Sequence, residues 1–490
     1  MFAPENRVRL VNDAPIRSDG RYVVYWMSAQ RRARFNYGLQ HAVAHARELG
    51  VPLVVLEALS CSYRWASDRM HAFAVEGMRD NRDAFDGTPV TYLPYVEPSK
   101  GDGTGLHEAL ASEACVYVSD HWPCFHIPKW NRIVASKVGC RMETVDSCGL
   151  VPVGLANKAF SRAFDFRRYF QRVAFDVLQE MPKEDPIAGA DVPVLDALPD
   201  AVTERWPATD LDALDLATLP IDHSVPPVDD ARGGMRAGAA VLDRFMDSRF
   251  TRYEDRNHPD EDVASGLSPW LHWGHVSAHE VFLRVAAAER FDPARLEGKK
   301  ATGKREGWWE LSSHAEGFLD ELITWREVCL NTSEYRADEY DDYASLPNFA
   351  RTTLEEHADD PRPHVYSLED FEHADTHDEL WNAAQTQLRR DGIVHNYLRM
   401  LWGKKILHWS ASPQEALRIM EELNNKYGLD GRDPNSYGGI MWVLGRYDRA
   451  WGPEREIFGK VRYMTSDNTR RKVRCKTYLA KYGGAGTLFS

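Results

Sequence analysis

Tyr22-Val-Val-Tyr-Trp-Met27, a β-branched and aromatic run, gives way at Leu39–Leu49 to a helical pattern stopped by Gly50. A second apolar run, Leu53-Val-Val-Leu-Glu-Ala-Leu59, follows. The alternation continues with helical patterns at Arg69–Asn81, Leu106–Ala114 and Trp130–Val138, and strand patterns at Val90–Leu93, Cys115–Ser119 and Arg141–Val145. Parallel neighbours need crossover connections, so five strands separated by helices predict a doubly wound, Rossmann-like α/β domain over residues 15–180. Gly101-Asp-Gly-Thr-Gly105 follows a polar stretch rather than a strand, which makes it a flexible loop and not a dinucleotide-binding turn.

Beyond this domain the pattern changes twice. Residues 181–230 hold eight prolines and a net charge of −10, the composition of a surface linker, taken here as 181–232. From Gly233 to 484 there is no strand alternation. Helices are expected at Ala237–Phe250, Ala278–Glu289, Phe318–Leu330, Asp378–Arg389, Ile393–Trp409 and Pro413–Tyr427, an all-α C-terminal domain. The 490-residue chain is 43% hydrophobic and 27% charged, which excludes disordered, collagenous and miniprotein classes. The best apolar run, Val51–Leu56, stops at Glu57, and the N-terminus has no signal-peptide pattern. A soluble, cytoplasmic, monomeric protein without membrane contact is the expectation. The seven cysteines are scattered, with no CxxC pair, so no metal centre or disulfide framework is expected.

Fifteen tryptophans and a net charge of −14 stand out. Trp402 and Trp409 lie two helical turns apart on one face, about 10 Å along the axis, and Trp381 sits on the preceding helix. Core packing explains such a trio; so does a chain of oxidisable indoles. Leu423-Asn-Asn-Lys-Tyr-Gly-Leu-Asp-Gly-Arg-Asp-Pro-Asn-Ser-Tyr-Gly-Gly-Ile-Met-Trp442 reads as a long polar loop able to address a heterocycle. Gly266-Leu-Ser-Pro-Trp-Leu-His-Trp-Gly-His275 carries the small and hydroxyl residues that wrap a phosphate. Glu321-Leu-Ile-Thr-Trp325 puts a carboxylate and an indole on one helical face. Residues 461–484 carry seven Lys or Arg against one acid. A solvated helix face explains such a run as well as a phosphate-tracking surface formed with Arg432, Arg446 and Arg449 despite the acidic total.

Six ordered strings carry a resemblance. They are Leu267-Ser-Pro-Trp-Leu-His-Trp-Gly274, Glu321-Leu-Ile-Thr-Trp-Arg-Glu327, Leu380-Trp-Asn382, Tyr397-Leu-Arg-Met-Leu-Trp-Gly-Lys-Lys-Ile406, Leu429-Asp-Gly-Arg-Asp-Pro-Asn435 and Tyr447-Asp-Arg-Ala-Trp-Gly452. In these blocks the chain resembles the class II branch of the DNA photolyase and cryptochrome family, the cyclobutane pyrimidine dimer photolyases. The resemblance implies an antenna domain, a linker and a helical domain that binds FAD, active in its reduced form, and a flipped-out dimer in UV-damaged DNA. It would place Tyr253, Ser265, Gly266, Leu267 and Ser268 at the FAD phosphates and Asn424 at the flavin N5. Arg399 and Asp430 would pair against the isoalloxazine, with Asp433 a further cofactor contact. Trp402 and Trp381 would pass electrons, with Trp409 beside them. Glu321 would hold a thymine carbonyl, Trp325, Met400 and Trp442 would line the lesion pocket, and Arg449 and Trp451 would fill the space the dimer leaves.

Departures from the family pattern at Gln30-Arg-Arg-Ala-Arg-Phe-Asn36 and Ala156–Phe164 leave open whether an 8-hydroxy-5-deazaflavin-type antenna chromophore binds. The stretch Glu297–Arg305 has no assigned role. The alternatives are a cryptochrome-like photoreceptor, repair of (6-4) photoproducts with His395 as the nearest histidine, and a light-independent flavin oxidoreductase. The intact lesion-facing set and the lack of a long tail after residue 484 weigh against the first, and the missing nicotinamide fingerprint weighs against the last.

Overall fold

The computed structural model describes residues 1–484; the expectation about a tail after 484 lies outside the described residues. The chain divides into two compact units that interleave along the sequence. The first comprises Met1–Asn157, Arg172–Leu242 and Leu267–Lys299. The second comprises Lys158–Gln171, Asp243–Gly266 and the chain from Lys300 onward.

The first unit is built on a six-stranded sheet. Its strands are β1 (Val8–Leu10), β2 (Tyr22–Trp26), β3 (Leu53–Leu59), β4 (Thr91–Val96), β5 (Ala114–Asp120) and β6 (Arg141–Val145), in the order β1-β6-β5-β2-β3-β4. The five strands expected from the sequence are present and parallel, with Val24 opposite Val54 on one side and Tyr117 on the other. The sixth, β1, is an antiparallel edge pairing Val8 with Val145; three residues are too few to show a period. β2 and β5 are buried on both faces, hence their unbroken apolar runs. The acidic Pro-rich stretch is tied down at Val202, Trp206, Leu211 and Val225, all buried, and forms a short helix at Asp200–Arg205.

Three buried carboxylates of this unit gather closed sets of donors. Asp120, at the end of β5, accepts the backbone N–H groups of Ser28, Ala29 and Gln30 at 2.8–2.9 Å and the Tyr25 hydroxyl at 2.7 Å. Glu97 accepts from Gly101 N at 2.8 Å, Gly103 N at 3.3 Å and Cys61 N at 2.9 Å. The Gly101–Gly105 segment, expected to be flexible, is therefore pinned: its glycine N–H groups cradle a carboxylate of the protein itself. His41 and His45, one turn apart, both reach Glu143 Oε2, at 2.9 and 2.8 Å, while His41 Nδ1 accepts from Ala3 N at 3.3 Å. That backbone donor fixes the tautomer with a proton on His41 Nε2, a hydrogen-bonded arrangement rather than one open to a cation.

The second unit is helical, with Ser313–Leu319, Arg326–Tyr335, Glu379–Asp391, Asn396–Trp409, Pro413–Tyr427 and Pro434–Val443 as its main helices. Asp378 caps Glu379–Asp391 by accepting from Leu380 N and Trp381 N, and Ser412 caps Pro413–Tyr427 through Glu415 N. Two expected helices are interrupted. The Ala237–Phe250 pattern gives a helix at Met235–Arg244, a π turn at Phe245–Arg249 and a 3-10 stretch at Phe250–Asn257. The Phe318–Leu330 pattern is broken by a π turn at Asp320–Trp325. Leu423–Trp442 is no long loop: only residues 428–433 are irregular, and Trp442 lies on the Pro434–Val443 helix. Its composition says loop, but Asp433 caps that helix through Asn435 N and Pro434 opens it. All seven cysteines are buried thiols outside any disulfide, and among the described residues no helix is long and apolar enough to cross a membrane.

Candidate active site

The Asp320–Trp325 turn supplies the acid. Wide i→i+5 turns recur at functional sites, and this one carries Glu321 and Trp325. Glu321 Oε1 lies 3.2 Å from Nη2 of Arg256, whose side chain is only 10% exposed, whereas that of Glu321 is 32% exposed. Burial raises the Glu321 carboxyl above its ordinary value; Arg256 pulls it down and neighbouring Asp320 pushes it up. Arg256 also covers the Tyr253 ring, its guanidinium carbon 4.7 Å from the centroid, and Tyr253 packs edge-on against Phe318 at 5.2 Å. The acid is thus oriented by one buried cation and open on another side. Arg256 escaped the sequence reading, since only its spacing of three from Tyr253 marked it.

Trp325 and Trp442 are brought together. Their rings stack on each other at 4.4 Å and 16°, forming one double platform rather than two separate faces, and both are partly exposed. Gly439, one turn before Trp442, borders open space where a side chain would project. Met400 is likewise partly exposed, on the Asn396–Trp409 helix.

A second cluster joins three helices. Arg399 donates to Asn424 Oδ1 at 3.2 Å and to both oxygens of Asp430 at 3.0 and 2.9 Å. Asn424 donates to Ser436 Oγ at 2.6 Å, and Ser436 to Asn425 Oδ1 at 2.9 Å. Asn424 is buried, so its amide orientation is set by these partners. Arg256 Nε, Arg326 Nη1, Asn425 Nδ2 and His395 Nδ1 are among the buried polar side-chain atoms of this unit that find no hydrogen-bond partner. Proteins leave few such groups unmatched, and a bound polar ligand is one way to match them. Asp433 serves as the cap described above. Ser265 and Gly266 precede the division between the units, with Gly266 at φ 71°. Leu267 and Ser268 follow it, and Ser268 opens a single turn, Ser268–His272.

The three indoles are buried. Trp381 Nε1 donates to the Trp402 carbonyl at 3.0 Å, and Trp402 Nε1 to Gln385 Oε1 at 2.9 Å. Trp409 meets Trp381 ring to ring at 6.1 Å, which orders the contacts Trp402, Trp381, Trp409. Every indole N–H but one in this trio is thus spoken for within the helices themselves.

The basic surface is smaller than its sequence suggests. Arg432 is buried, donating to the carbonyls of Asn425 and Gly428. Arg446 is buried on Tyr340 O and Ser345 Oγ. Both satisfy carbonyl or hydroxyl oxygens of neighbouring turns and are removed from any phosphate-tracking role. Arg470 pairs with Glu379 at 3.0 Å and Arg474 with Asp255 at 3.1 Å. Arg449 and Trp451 remain exposed as a cation–aromatic pair at 5.2 Å, with Trp451 Nε1 held by Asp448 at 2.9 Å.

No protein-family model matches the chain. Among solved structures it is similar to a bacterial class III photolyase from Agrobacterium tumefaciens (TM-score 0.66, 15% identity, 94% of this chain and 86% of that one). It is also similar to an archaeal photolyase from Sulfolobus tokodaii described with two FAD molecules (TM-score 0.63, 15% identity, 94% and 89%). At that identity the likeness speaks for the fold alone. Curated relatives go further. The deoxyribodipyrimidine photo-lyase of Methanothermobacter thermautotrophicus is 33% identical over 486 residues, 98% of each chain. That of Potorous tridactylus is 32% identical over 96% of this chain and 82% of its own, and that of Oryza sativa 33% over 97% and 90%. Identity sustained from end to end at this level shows that the chain belongs to the deoxyribodipyrimidine photo-lyase family.

Proposed function

We propose that this protein repairs cyclobutane pyrimidine dimers in DNA in a light-driven reaction, as a class II member of its family acting as a cytoplasmic monomer on UV-damaged DNA. The observation that carries the reading is one wide helical turn presenting a burial-raised acid, Glu321, beside a stacked indole platform, Trp325 on Trp442. The orphaned donors Arg256 Nε, Arg326 Nη1 and Asn425 Nδ2 fit a ligand rich in oxygen and ring nitrogen, as FAD is. Tyr253, Ser265 and Gly266 would hold its phosphates, Asn424 would face its N5, and Arg399 with Asp430 and Asp433 would line its ring. When bound and reduced, FAD supplies the electron that light sends into the dimer.

The protein's own part is placement. A fused pyrimidine pair stacks poorly and leaves the helix at lower cost than normal bases. The Trp325–Trp442 platform receives it, and Met400 closes the pocket. Protonated Glu321 donates a hydrogen bond to a pyrimidine carbonyl, steadied by Arg256. Arg449 and Trp451, exposed and paired, enter the duplex where the dimer left. Trp402, Trp381 and Trp409 relay electrons when the cofactor must be recharged. An 8-hydroxy-5-deazaflavin-type antenna would seek the crevice past the ends of β2 and β5, the switch point of the sheet; the three loop N–H groups there are already bound to Asp120, so they offer no phosphate cradle. Repair of (6-4) photoproducts would need a charged histidine, whereas burial holds His395 down to about 4. The test is an oligonucleotide with one thymine dimer, incubated with the reduced protein in light and in darkness. Restored thymines in light alone support the reading, and intact dimers under both conditions overturn it.

A further inference from the structure

Behind the turn that bears Glu321 lies a second arginine–carboxylate pair. Arg167, on the helix Ala163–Gln179, grips Asp320 with Nε on Oδ1 at 2.6 Å and Nη2 on Oδ2 at 3.0 Å. The two side chains are 13% and 5% exposed. Two-pronged contact from a planar guanidinium fixes direction as well as charge. Adjacent carboxylates therefore go to different arginines: Asp320 to Arg167, Glu321 to Arg256. Arg167, Trp309, Asp320 and Thr324 line a shallow cleft on that side of the turn.

One turn along the same helix, Gln171 anchors the segment that has no other assigned role. Gln171 Oε1 accepts from Thr302 N at 2.9 Å and Gly303 N at 2.7 Å, and its Nε2 donates to Lys304 O at 2.9 Å. Gly303 sits at φ 74° with the Phe164 ring where a Cβ would be, so only glycine fits. The loop brings Arg305 Nε to 3.9 Å from Asp320 Oδ2.

We propose that Arg167, with Gln171 and the 302–305 loop it holds, is a positioning clamp for Glu321, fixing the wide turn through Asp320 and neutralising that neighbour's charge. Arg167 touches neither substrate nor cofactor; it acts through Asp320. The role rests on the repair reading only in giving Glu321 a substrate. The charged or titratable groups facing Glu321 are Arg256 and Tyr253 from the Phe250–Asn257 stretch, Asp320 from its own turn and Arg305 from the loop.

The test follows the infrared carboxyl band of Glu321 through a pH titration of the purified protein, the band being identified by its loss in Glu321→Gln. Arg167→Gln leaves Asp320 with only the more distant Arg305 and moves the titration up; Asp320→Asn removes the like charge and moves it down. Arg167→Lys keeps the charge without the two-pronged grip. It leaves the titration in place and lowers repair yield about tenfold, the cost of a misplaced acid. Opposite shifts in the first two variants support the clamp. An unmoved band in both, or wild-type yield in Arg167→Lys, overturns it. Should Arg167→Gln fail to fold, Asp320→Asn and Arg167→Lys decide the question alone. If wild-type protein split no dimers, the repair reading would fall while opposite band shifts would still establish the clamp.

Discussion

Two carboxyl groups, one fully buried and one partly exposed, are raised by the same cause and serve opposite ends. Burial pushes up Asp120 in the first unit and Glu321 in the second. Asp120 is fully buried and meets four donors. Glu321 meets one, is a third exposed, and its partner Arg256 keeps a buried Nε without an acceptor. A carboxylate with every lone pair occupied holds a loop; one left short of partners is poised for something else. Asp120 is spent on the loop it holds, whereas Glu321 keeps hydrogen-bonding capacity in reserve.

Removing the closed network should cost the most. Asp120→Ala strands three backbone N–H groups and the Tyr25 hydroxyl in the interior, and is expected to destabilise the protein by about 3–5 kcal/mol in a denaturant titration. A loss below 1 kcal/mol would mean that water reaches those donors and that the sheet unit is not closed. Next comes the Glu143 cluster. Burial opposes charge on Glu143, yet hydrogen bonds from His41 and His45 outweigh it and bring the carboxyl to about 2. A folded value below the unfolded one stabilises above about pH 4.5 and is lost as pH falls toward 2. Wild type should therefore lose on the order of 2 kcal/mol over that interval beyond what Glu143→Gln loses. Parallel acid unfolding curves for the two would contradict this.

How far such a contrast can be seen in the letters of the chain differs between the units. The parallel strands announce themselves because both faces are buried, and Ser412-Pro413 marks a helix start by chemistry that is local. The six motif blocks carry Glu321, Trp325, Trp381, Arg399, Trp402 and Asp430, while Asn424, Trp409 and Trp442 lie outside them; the structure brings Arg399, Asn424 and Asp430, Trp325 and Trp442, and the three indoles into contact. What stays hidden depends on register and burial. The turn at Asp320–Trp325 adds no special residue to the helical pattern, so Phe318–Leu330 reads as one helix. Arg432 and Arg446 read as surface charges because arginine usually is one, yet neighbouring carbonyls bury them. Arg167 and Gln171 lie on a helix more than 130 residues before the turn and loop they hold, beyond the reach of any spacing argument.

The open side of the contrast predicts smaller changes that touch function rather than folding. Trp325→Ala removes half of the stacked platform and should weaken binding of dimer-bearing DNA by about 1–3 kcal/mol, leaving undamaged DNA unaffected. Equal losses for both would place Trp325 in the backbone contact instead.

Smallest in energy, and sharpest in meaning, is Glu321→Gln. The amide keeps the shape and can still donate one hydrogen bond, but it cannot ionise or pair with Arg256. Because Glu321 is a third exposed and holds a single partner, stability should change by no more than about 0.5 kcal/mol, within the usual range for sites outside the core. Repair yield should fall about tenfold, close to 1.4 kcal/mol in the barrier. Wild-type yield should decline with rising pH as the raised carboxyl gives up its proton, and the variant should lack that decline. Asp120→Ala breaks the fold through groups already satisfied; Glu321→Gln leaves the fold and removes a proton from a group held in waiting. A Gln variant that unfolded readily but repaired normally would reverse the assignment of the two carboxyl groups.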